Sequence, residues 1–409
     1  MLQTLDHTPE DTVLNARDAA GKILRGRDIV CFAQDWTGDP LSKTHLMRLF
    51  ARDNRVLWIN SIGMRPPTAS KSDVSRIFKK LAAATTPVTE VEPNLFVLSP
   101  LAIPAYGNPR LRALNRQLLQ FQVRRAMRRL GFERAINYVF LPSAALIAGK
   151  LGEEMVIYHC VDEYAAFSDI PSEPMLELEE QLIRRSDLVI TSAELLYQSK
   201  IKFNPRTVLV RHGVDHAHFR RALDPNTVVP EDMAHLPRPI IGFFGLIADW
   251  VDLDLMAVVA KQFPEGSVVL LGKTTTDVSA LESLPNVHFL GRKPYEQLPA
   301  YCKGFDVALM PFRINELTLN ANPLKVREYL AAGLQVVSTA IPEVEVLGLC
   351  RIGKDQDSFV REVKAALADP GPSAARSDAI RHESWEARLE EICRHIADVK
   401  AKDERRDEG

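Results

Sequence analysis

The sequence predicts an α/β protein made of two doubly wound domains, each with a parallel sheet covered by helices. Short apolar runs alternate with helix-like segments throughout the chain, which is the pattern of parallel strands joined by crossover helices. At 409 residues, 46% of them hydrophobic, the chain is too long for one ordinary core. Four prolines between residues 225 and 239 interrupt the alternation, and they mark the linker between the domains.

The first domain is predicted over residues 27–218, after a polar leader at 1–26 that lacks an apolar signal region. Its predicted strands are residues 28–34, 55–60, 95–99, 135–141, 155–160, 187–191 and 207–211. One helix is predicted over 41–52, and another ends near residue 84. In such a doubly wound sheet, ligands are expected at the carboxyl ends of the strands.

The second domain is predicted over residues 219–380, and it repeats the alternation of strand and helix. Its predicted strands are residues 239–245, 267–271, 287–290, 306–311 and 335–338. A final helix that returns to the first domain is predicted over 381–399. The charged residues 400–409 are predicted to form a disordered tail.

Composition argues against several classes of function. A net charge of −2 is atypical of a nucleic-acid-binding protein. The five cysteines are scattered and include no Cys-x-x-Cys pair, so neither a disulfide framework nor a zinc site is predicted. No apolar run approaches the ~20 residues that span a bilayer. The sequence therefore predicts a cytoplasmic protein.

A short helix predicted over residues 323–332 has the features of a nucleotide-binding helix. Pro323 suits its first turn, and Gly333 suits the position just past its end, where a positive φ is required. The free N–H groups of the first turn, together with Lys325, favour a phosphate or diphosphate. Glu328 lies one turn further along and can accept hydrogen bonds from a pair of ribose hydroxyls.

This helix carries the motif Asn-Pro-Leu-Lys-x-x-Glu-Tyr-Leu-Ala-x-Gly. The motif resembles the nucleotide-sugar site of GT-B glycosyltransferases, especially family 4, in a variant found in bacterial polysaccharide enzymes of the teichuronic acid type. The resemblance implies two Rossmann-like domains facing a central cleft. It also implies that Glu328 binds the donor ribose. Family 4 enzymes carry Glu-x7-Glu here, whereas this chain has Asn320 at the first position.

The resemblance implies further contacts to the donor. Three of the residues implied are Asn322, Leu324 and Gly245. Family 4 enzymes also bring an arginine and a lysine to the diphosphate from the loop after the domain's first strand, but residues 246–252 contain neither. The diphosphate charge is therefore expected to meet Lys325, Arg292 or Lys273. No metal and no cofactor is expected besides the nucleotide-sugar substrate.

The loop after the first strand of the chain is predicted to line the cleft, because it follows a strand's carboxyl end. GT-B enzymes often have a glycine-rich loop at this place, for the acceptor or for the donor phosphate. This chain offers Gly38, Ser42 and Lys43. The alternative interpretation is a turn that caps the following helix with solvated polar groups.

The loop after strand 155–160 carries candidate catalytic residues. His159 and Asp162 lie at or just beyond the strand's carboxyl end, where groups that transfer protons or accept sugar hydroxyls are expected. An aspartate after this strand recurs in similar transferases. Alternatively, Asp162 caps the following turn and His159 is a core histidine. The predicted catalytic set is Asp162, His159 and Lys325.

Residues 104–134 contain eight arginines and one acid on a helical pattern of apolar residues. Such a segment can lie on an anionic membrane, with leucines against the acyl boundary and arginines among the head groups. The alternative is an ordinary amphipathic helix packed on the sheet with a solvated basic face. The first interpretation places the protein peripherally on the inner face of the cytoplasmic membrane, through Arg110 to Arg134.

The predicted function is transfer of a hexose-type sugar from a nucleoside diphosphate to a glycan or lipid-linked acceptor in surface polysaccharide synthesis. Retention of configuration is what the resemblance implies. If the enzyme inverts instead, Asp162 is the candidate base. Two alternative functions are a sugar-nucleotide epimerase, which shares this fold, and a non-catalytic nucleotide-sugar-binding protein.

Overall fold

The computed structural model describes residues 24–61, 88–102, 109–168, 170 and 172–407. The helix predicted to end near residue 84 and most of the polar leader lie outside these residues. Two compact units form, the first from residues 1–211 with 388–409 and the second from residues 212–387. The predicted boundaries after residues 218 and 380 therefore both lie within the second unit.

The first unit is built on an eight-stranded sheet, in the order β3-β4-β2-β1-β5-β6-β7-β8, within the described part of the chain. The strands are β1 (Asp28–Phe32), β2 (Arg55–Ile59), β3 (Thr89–Glu92), β4 (Leu95–Leu98), β5 (Ile136–Val139), β6 (Met155–Cys160), β7 (Leu188–Thr191) and β8 (Thr207–Leu209). All neighbours pair in parallel except β3 and β4. The central strands β5 and β6 are buried along their whole length, as strands covered on both faces must be.

Helices cover this sheet. They are α1 (Ser42–Ala51), α2 (Pro109–Leu130), α3 (Ser172–Arg185) and α4 (Glu194–Lys200). In α2, Leu119, Val123, Ala126 and Met127 are buried in the core of the unit. The arginine-rich segment is thus an amphipathic helix packed on the sheet.

The second unit is built on a six-stranded sheet, in the order β11-β10-β9-β12-β13-β14, within the described residues. Its strands are β9 (Ile240–Phe244), β10 (Ser267–Leu271), β11 (Val287–Gly291), β12 (Val307–Met310), β13 (Val336–Thr339) and β14 (Arg351–Gly353). All the neighbours are parallel. Strands β3 and β14 were not predicted, because both are short edge strands without an apolar run.

The helices of the second unit surround this sheet. They are α5 (His216–Arg220), α6 (Glu231–Ala234), α7 (Leu253–Gln262), α8 (Ser279–Glu282), α9 (Leu298–Gly304), α10 (Glu316–Leu319), α11 (Leu324–Ala331), α12 (Pro342–Glu345), α13 (Gln356–Ala366) and α14 (Ala374–Ala379). The last helix, α15 (Trp385–Asp407), begins in the second unit and continues in the first.

The charged C-terminal segment differs from its prediction, since residues 400–407 continue α15 rather than forming a disordered tail. Lys400 Nζ pairs with Glu154 of the first unit. Arg206 Nη1 donates to Asp403 Oδ2 over 3.0 Å. Composition alone suggested disorder, but ion pairs with residues distant in sequence give these charges partners on the folded surface.

Candidate active-site residues in each unit

Helix α11 forms where the sequence predicts it and begins after Pro323, its N-cap. Val326, Tyr329 and Leu330 are buried and fix the helix against the core of the second unit. Gly333 follows the helix with a φ of 86°, a backbone conformation that residues with a β-carbon rarely adopt. Apolar packing thus sets the orientation of the helix, and its other face carries Lys325 and Glu328.

Lys325 lies directly against Gly245, at the carboxyl end of β9. A β-carbon built at Gly245 would meet Lys325 Cε at 1.7 Å and Nζ at 2.7 Å. Burial lowers the pKa of the Lys325 ammonium, and Glu328 acts in the opposite direction. The structure thus brings together three residues that the sequence analysis assigned to the donor, with the lysine placed where β9 ends.

The end of β9 is tied to α11 in a second way. The N–H of Phe244 donates to the Tyr329 hydroxyl over 2.8 Å, and the two rings lie 4.6 Å apart in a T-shaped arrangement. The backbone of Gly245 also approaches Gly272, because a β-carbon there would lie 1.7 Å from the Gly245 carbonyl oxygen. Because Gly245 and Gly272 lack a β-carbon, the Lys325 side chain can lie against Gly245, and the Gly245 carbonyl can lie against Gly272.

The two asparagines before α11 differ in their surroundings. Asn320 ends α10, and its side-chain amide donates to the Glu316 carbonyl over 2.8 Å. Asn322 is buried, and its side-chain oxygen accepts from Arg327 Nη1. A buried, partnered side chain suits a residue that supports the loop, whereas the half-buried Asn320 keeps its amide oxygen available as an acceptor.

The remaining predicted donor residues are less enclosed. Lys273 and Arg292 are exposed, and Leu324 is half-buried in the first turn of α11. The carbonyl of Lys273 accepts the Ile247 N–H over 2.9 Å, so its backbone holds the loop after β9. Among the three predicted cations, Lys325 is the least exposed, and it lies against Gly245 at the end of β9.

In the first unit, Lys43 and Asp162 come together at the carboxyl edge of the sheet. Burial raises the pKa of Asp162 to about 6, against the opposing effect of the Lys43 ammonium. Burial likewise lowers the pKa of Lys43 to about 8, against the effect of Asp162. The Lys43 Nζ atom is buried without a hydrogen-bond partner among the described residues. It lies 5.9 Å from the centre of the Phe140 ring.

His159 lies beneath this edge rather than at its surface. Its Nδ1 is 2.9 Å from the Tyr138 hydroxyl, and its ring stacks on Phe140 with centroids 5.1 Å apart. Only 2% of the residue is exposed. This environment fits the core-histidine interpretation more closely than a group that exchanges protons with a substrate.

The loop that carries Asp162 is fixed by a buried ion cluster that the sequence analysis missed. Lys200 Nζ donates to Glu163 and to Glu179 over 2.9 Å each, and the Tyr158 hydroxyl donates to Glu179 over 2.6 Å. The cluster joins β6, α3 and α4. Nothing in the local sequence indicates it, because its members are brought together only by the fold.

The other residues of the first predicted loop differ in exposure. Gly38 is exposed with a φ of 138°, and nothing lies near its α-carbon on the side where a β-carbon would stand. Ser42 is buried at the start of α1. Of the predicted trio, Lys43 alone has a charged side chain directed toward Asp162.

Two classes of site have no candidate in the described part of the chain. No group of three or more His, Cys, Asp or Glu side chains is arranged to hold a metal ion there. In the same residues, every helix is too short or too polar to cross a membrane.

Sequences similar to this chain occur among known glycosyltransferases. Residues 238–369 match the family model described as glycosyl transferases group 1. A teichuronic acid biosynthesis glycosyltransferase of Bacillus subtilis (strain 168), TuaH, is 24% identical over 289 residues, which cover 64% of this chain and 72% of that protein.

Solved structures share the fold. Sucrose-phosphate synthase from Thermosynechococcus elongatus superposes with a TM-score of 0.67 at 16% identity, covering 92% of this chain and 100% of that one. A trehalose-6-phosphate structure from E. coli, bound with UDP-2-fluoro glucose, has a TM-score of 0.64 at 14% identity, covering 91% and 99%. At these identities the likeness establishes the fold alone.

Two parallel-sheet units and the likeness to these solved structures define the GT-B fold. The chain is a glycosyltransferase, similar to family 4 enzymes and matching the group 1 model through most of its second unit. The predictions of GT-B fold and transferase activity are confirmed.

The close contact between Gly245 and Lys325 leads to a testable prediction. Gly245→Ala is expected to weaken nucleoside diphosphate binding about tenfold, because the new methyl group would displace the Lys325 side chain and strain a positive φ. Isothermal titration calorimetry measures the affinity. Gly348→Ala is the matched control, since Gly348 lies in the same unit and its φ is also positive, but its surroundings are open. Equal losses of nucleoside diphosphate affinity in the two variants would show that backbone strain alone, rather than displacement of Lys325, weakens binding.

Proposed function

We propose that this protein transfers a hexose-type sugar from a nucleoside diphosphate donor to a glycan or lipid-linked acceptor, with retention of configuration, in surface polysaccharide synthesis. The observation that carries the proposal is the placement of Lys325 and Glu328 on one face of α11, beside Gly245. A half-buried cation at a helix N-terminus and a carboxylate one turn further along match a diphosphate followed by a ribose.

The donor binds the second unit in this proposal. Lys325 and the N–H groups at the start of α11 stabilise the diphosphate, and this stabilisation increases as the departing group gains charge. Glu328 accepts hydrogen bonds from the ribose hydroxyls. The lysine takes the place of the basic residues that family 4 enzymes supply from the loop after the first strand. No metal is needed in this scheme.

The acceptor binds the first unit, beside Asp162 and Lys43. With a pKa of about 6, the Asp162 carboxylate is ionised at neutral pH and can accept a hydrogen bond from the acceptor hydroxyl. Under retention, Asp162 orients that hydroxyl while the departing phosphate receives the proton. Under inversion, Asp162 itself takes the proton. Lys43 keeps Asp162 ionised by partly offsetting the cost of its burial.

The similarity to TuaH, described as a teichuronic acid biosynthesis glycosyltransferase, supports a polysaccharide acceptor. The test is incubation of the purified protein with radiolabelled UDP-, GDP- and ADP-sugars, with and without membrane lipid extract and oligosaccharide acceptors. We expect label in a new glycan or lipid product only when an acceptor is present. Conversion of the donor sugar without an acceptor would instead indicate an epimerase.

The exposed face of α2 supports a membrane-associated acceptor. Leu114 is 48% exposed and Phe121 59% exposed. Arg125, Arg128 and Arg129 are also exposed. Large apolar side chains beside arginines suit the interface of an anionic bilayer, where the rings enter the acyl boundary and the guanidinium groups bind lipid phosphates. We propose that this face holds the protein on the inner surface of the cytoplasmic membrane.

Reversing the charge of Arg125, Arg128 and Arg129 to Glu is expected to abolish sedimentation with vesicles containing phosphatidylglycerol, at ~1 kcal/mol per basic residue. Donor affinity should not change, because these residues lie outside the second unit. The matched control reverses Lys261, Lys354 and Arg361, which are exposed in the second unit. Equal binding of the wild type to neutral and anionic vesicles, or to neither, would contradict the membrane proposal.

A further inference from the structure

A buried arginine lies behind the proposed donor site. Arg327, on α11, is 0% exposed. Its Nε donates to Glu383 Oε2 over 3.1 Å, and its Nη1 donates to Asn322 Oδ1 over 2.5 Å. Burying a guanidinium group is costly unless its donors are paired. These pairs join α11 to the loop before it and to the segment that precedes α15.

Asn322 is the centre of this network. Its side-chain oxygen accepts from Arg327, and its side-chain amide donates to Glu343 Oε2 over 3.4 Å. Its backbone carbonyl oxygen lies 2.8 Å from His212 Nδ1. The asparagine, the histidine, the glutamate and Arg327 are all buried. The loop between α10 and α11 is therefore held by polar contacts from several elements of the second unit.

The loop and the helix depend on different forces. Helix α11 is fixed by the buried side chains of Val326, Tyr329 and Leu330 and by the hydrogen bond between Tyr329 and Phe244. In the loop of residues 320–323, Asn322 carries three polar contacts, and the other buried residue is Pro323. Loss of the Arg327 contacts would consequently move the loop more than the helix.

We propose that Arg327 is a positioning residue for the sugar moiety of the donor, acting through Asn322 on the loop of residues 320–323. The inference rests on the proposed function, in which Glu328 binds the ribose and the start of α11 binds the diphosphate. The sugar extends beyond the diphosphate, away from the ribose, and so toward residues that precede the helix. Arg327 sets the position of the loop that the sugar meets.

This role separates two ligands that share most of their atoms. A nucleoside diphosphate uses Glu328, Lys325 and the helix, which apolar packing keeps in place. A nucleotide sugar also uses the loop of residues 320–323. Weakening the network should therefore affect the sugar-bearing ligand selectively, whereas general damage to the unit would affect both ligands alike.

The guanidinium group is well suited to this position. Its planar fork donates to two partners on different elements at fixed angles, while a lysine ammonium is a point charge without that geometry. Arg327→Lys should therefore keep the buried charge but lose the simultaneous contacts to Asn322 and Glu383. This variant therefore tests the hydrogen-bonding geometry of the guanidinium group separately from its positive charge.

The experiment measures the affinities of the full-length wild type, Arg327→Lys, Arg327→Met and Asn322→Ala by calorimetry. The probes are UDP, GDP and ADP and their glucose, galactose or mannose conjugates, using the pair that the wild type binds most tightly. We expect each variant to bind the sugar conjugate about tenfold or more weakly. The affinity for the free diphosphate should change less than threefold. Arg351→Met is the matched control, since it removes a half-buried arginine that is paired with Glu362 in the same unit, and both affinities should be retained.

Equal weakening of both ligands, or no weakening of either, would overturn the role of Arg327. If Arg327→Met does not fold, as judged by circular dichroism, Asn322→Ala and Arg327→Lys decide the question. Failure of the wild type to bind any nucleotide would instead contradict the proposed function itself, so the two failures are distinguishable. A double variant at Arg327 and Asn322 should lose no more sugar affinity than the larger single loss, because both changes remove the same contact.

Discussion

Asp162→Asn is expected to lower kcat by about a hundredfold to ten-thousandfold, the usual contribution of a positioned acid or base, while leaving donor affinity unchanged. The amide has the shape of the carboxylate but cannot take a proton or hold a negative charge. Burial and the ionic loop around Glu163 and Lys200 keep the side chain in place. Folding should therefore survive the change. Asp53→Asn, an exposed aspartate of the same unit, is the matched control.

The pH profile of kcat/KM tests the same pair of residues. Because Asp162 must be ionised to accept the hydroxyl hydrogen, activity should rise as the pH increases through its pKa of about 6. Loss of the Lys43 charge above its pKa of about 8 should leave kcat/KM at its plateau value, because Asp162 is already ionised there. Lys43→Met removes a cation that lowers the pKa of Asp162, so the acidic limb should move to higher pH.

The anomeric configuration of the product, read by NMR, assigns the role of Asp162. If Asp162→Asn loses most of its kcat and the wild-type product has inverted anomeric configuration, Asp162 is the base. If the same loss of kcat accompanies a product of retained configuration, Asp162 is the residue that orients the acceptor. A kcat within about threefold of the wild type, with an unchanged pH profile, would make Asp162 a structural residue.

The fold was predictable from the sequence because its signals are local. Buried parallel strands such as β6 and β13 appear as short apolar runs, and α11 has its own beginning and end at Pro323 and Gly333. Glu328 and Lys325 share one helix, so their proximity follows from helical periodicity alone. Each of these predictions needs only a few consecutive residues.

The rest of the candidate site depends on contacts between residues far apart in the chain. Lys43 and Asp162 follow different strands, and the contact of Lys325 with Gly245 requires α11 to pack against the end of β9. Nothing in the sequence distinguishes Arg327 from the exposed arginines of α2. Its burial is decided by where Glu383 and Asn322 lie once the unit has folded.

Glu328→Ala is expected to weaken nucleoside diphosphate binding by about tenfold to a hundredfold. Hydrogen bonds to a charged acceptor contribute ~1.5 to 3 kcal/mol, and ~1.4 kcal/mol corresponds to one factor of ten. A second effect adds to the first, because Glu328 counteracts the burial that lowers the pKa of Lys325. Without the glutamate, part of the lysine charge is lost at high pH. Because the pKa of Lys325 is lower without Glu328, the affinity of the variant should begin to decline at a lower pH than that of the wild type.

Calorimetry with ribose and 2′,3′-dideoxyribose forms of the same nucleoside diphosphate isolates the hydroxyl contact. The affinity difference between wild type and variant should largely disappear for the dideoxy ligand, because neither protein then has a hydroxyl to bind. Glu282→Ala, an exposed glutamate on α8, serves as the control and should leave both affinities unchanged. If Glu328→Ala keeps its nucleotide affinity within a factor of two, the carboxylate contributes only a helix-surface pair with Lys325, worth ~0.2 to 0.5 kcal/mol, and the ribose contact is contradicted.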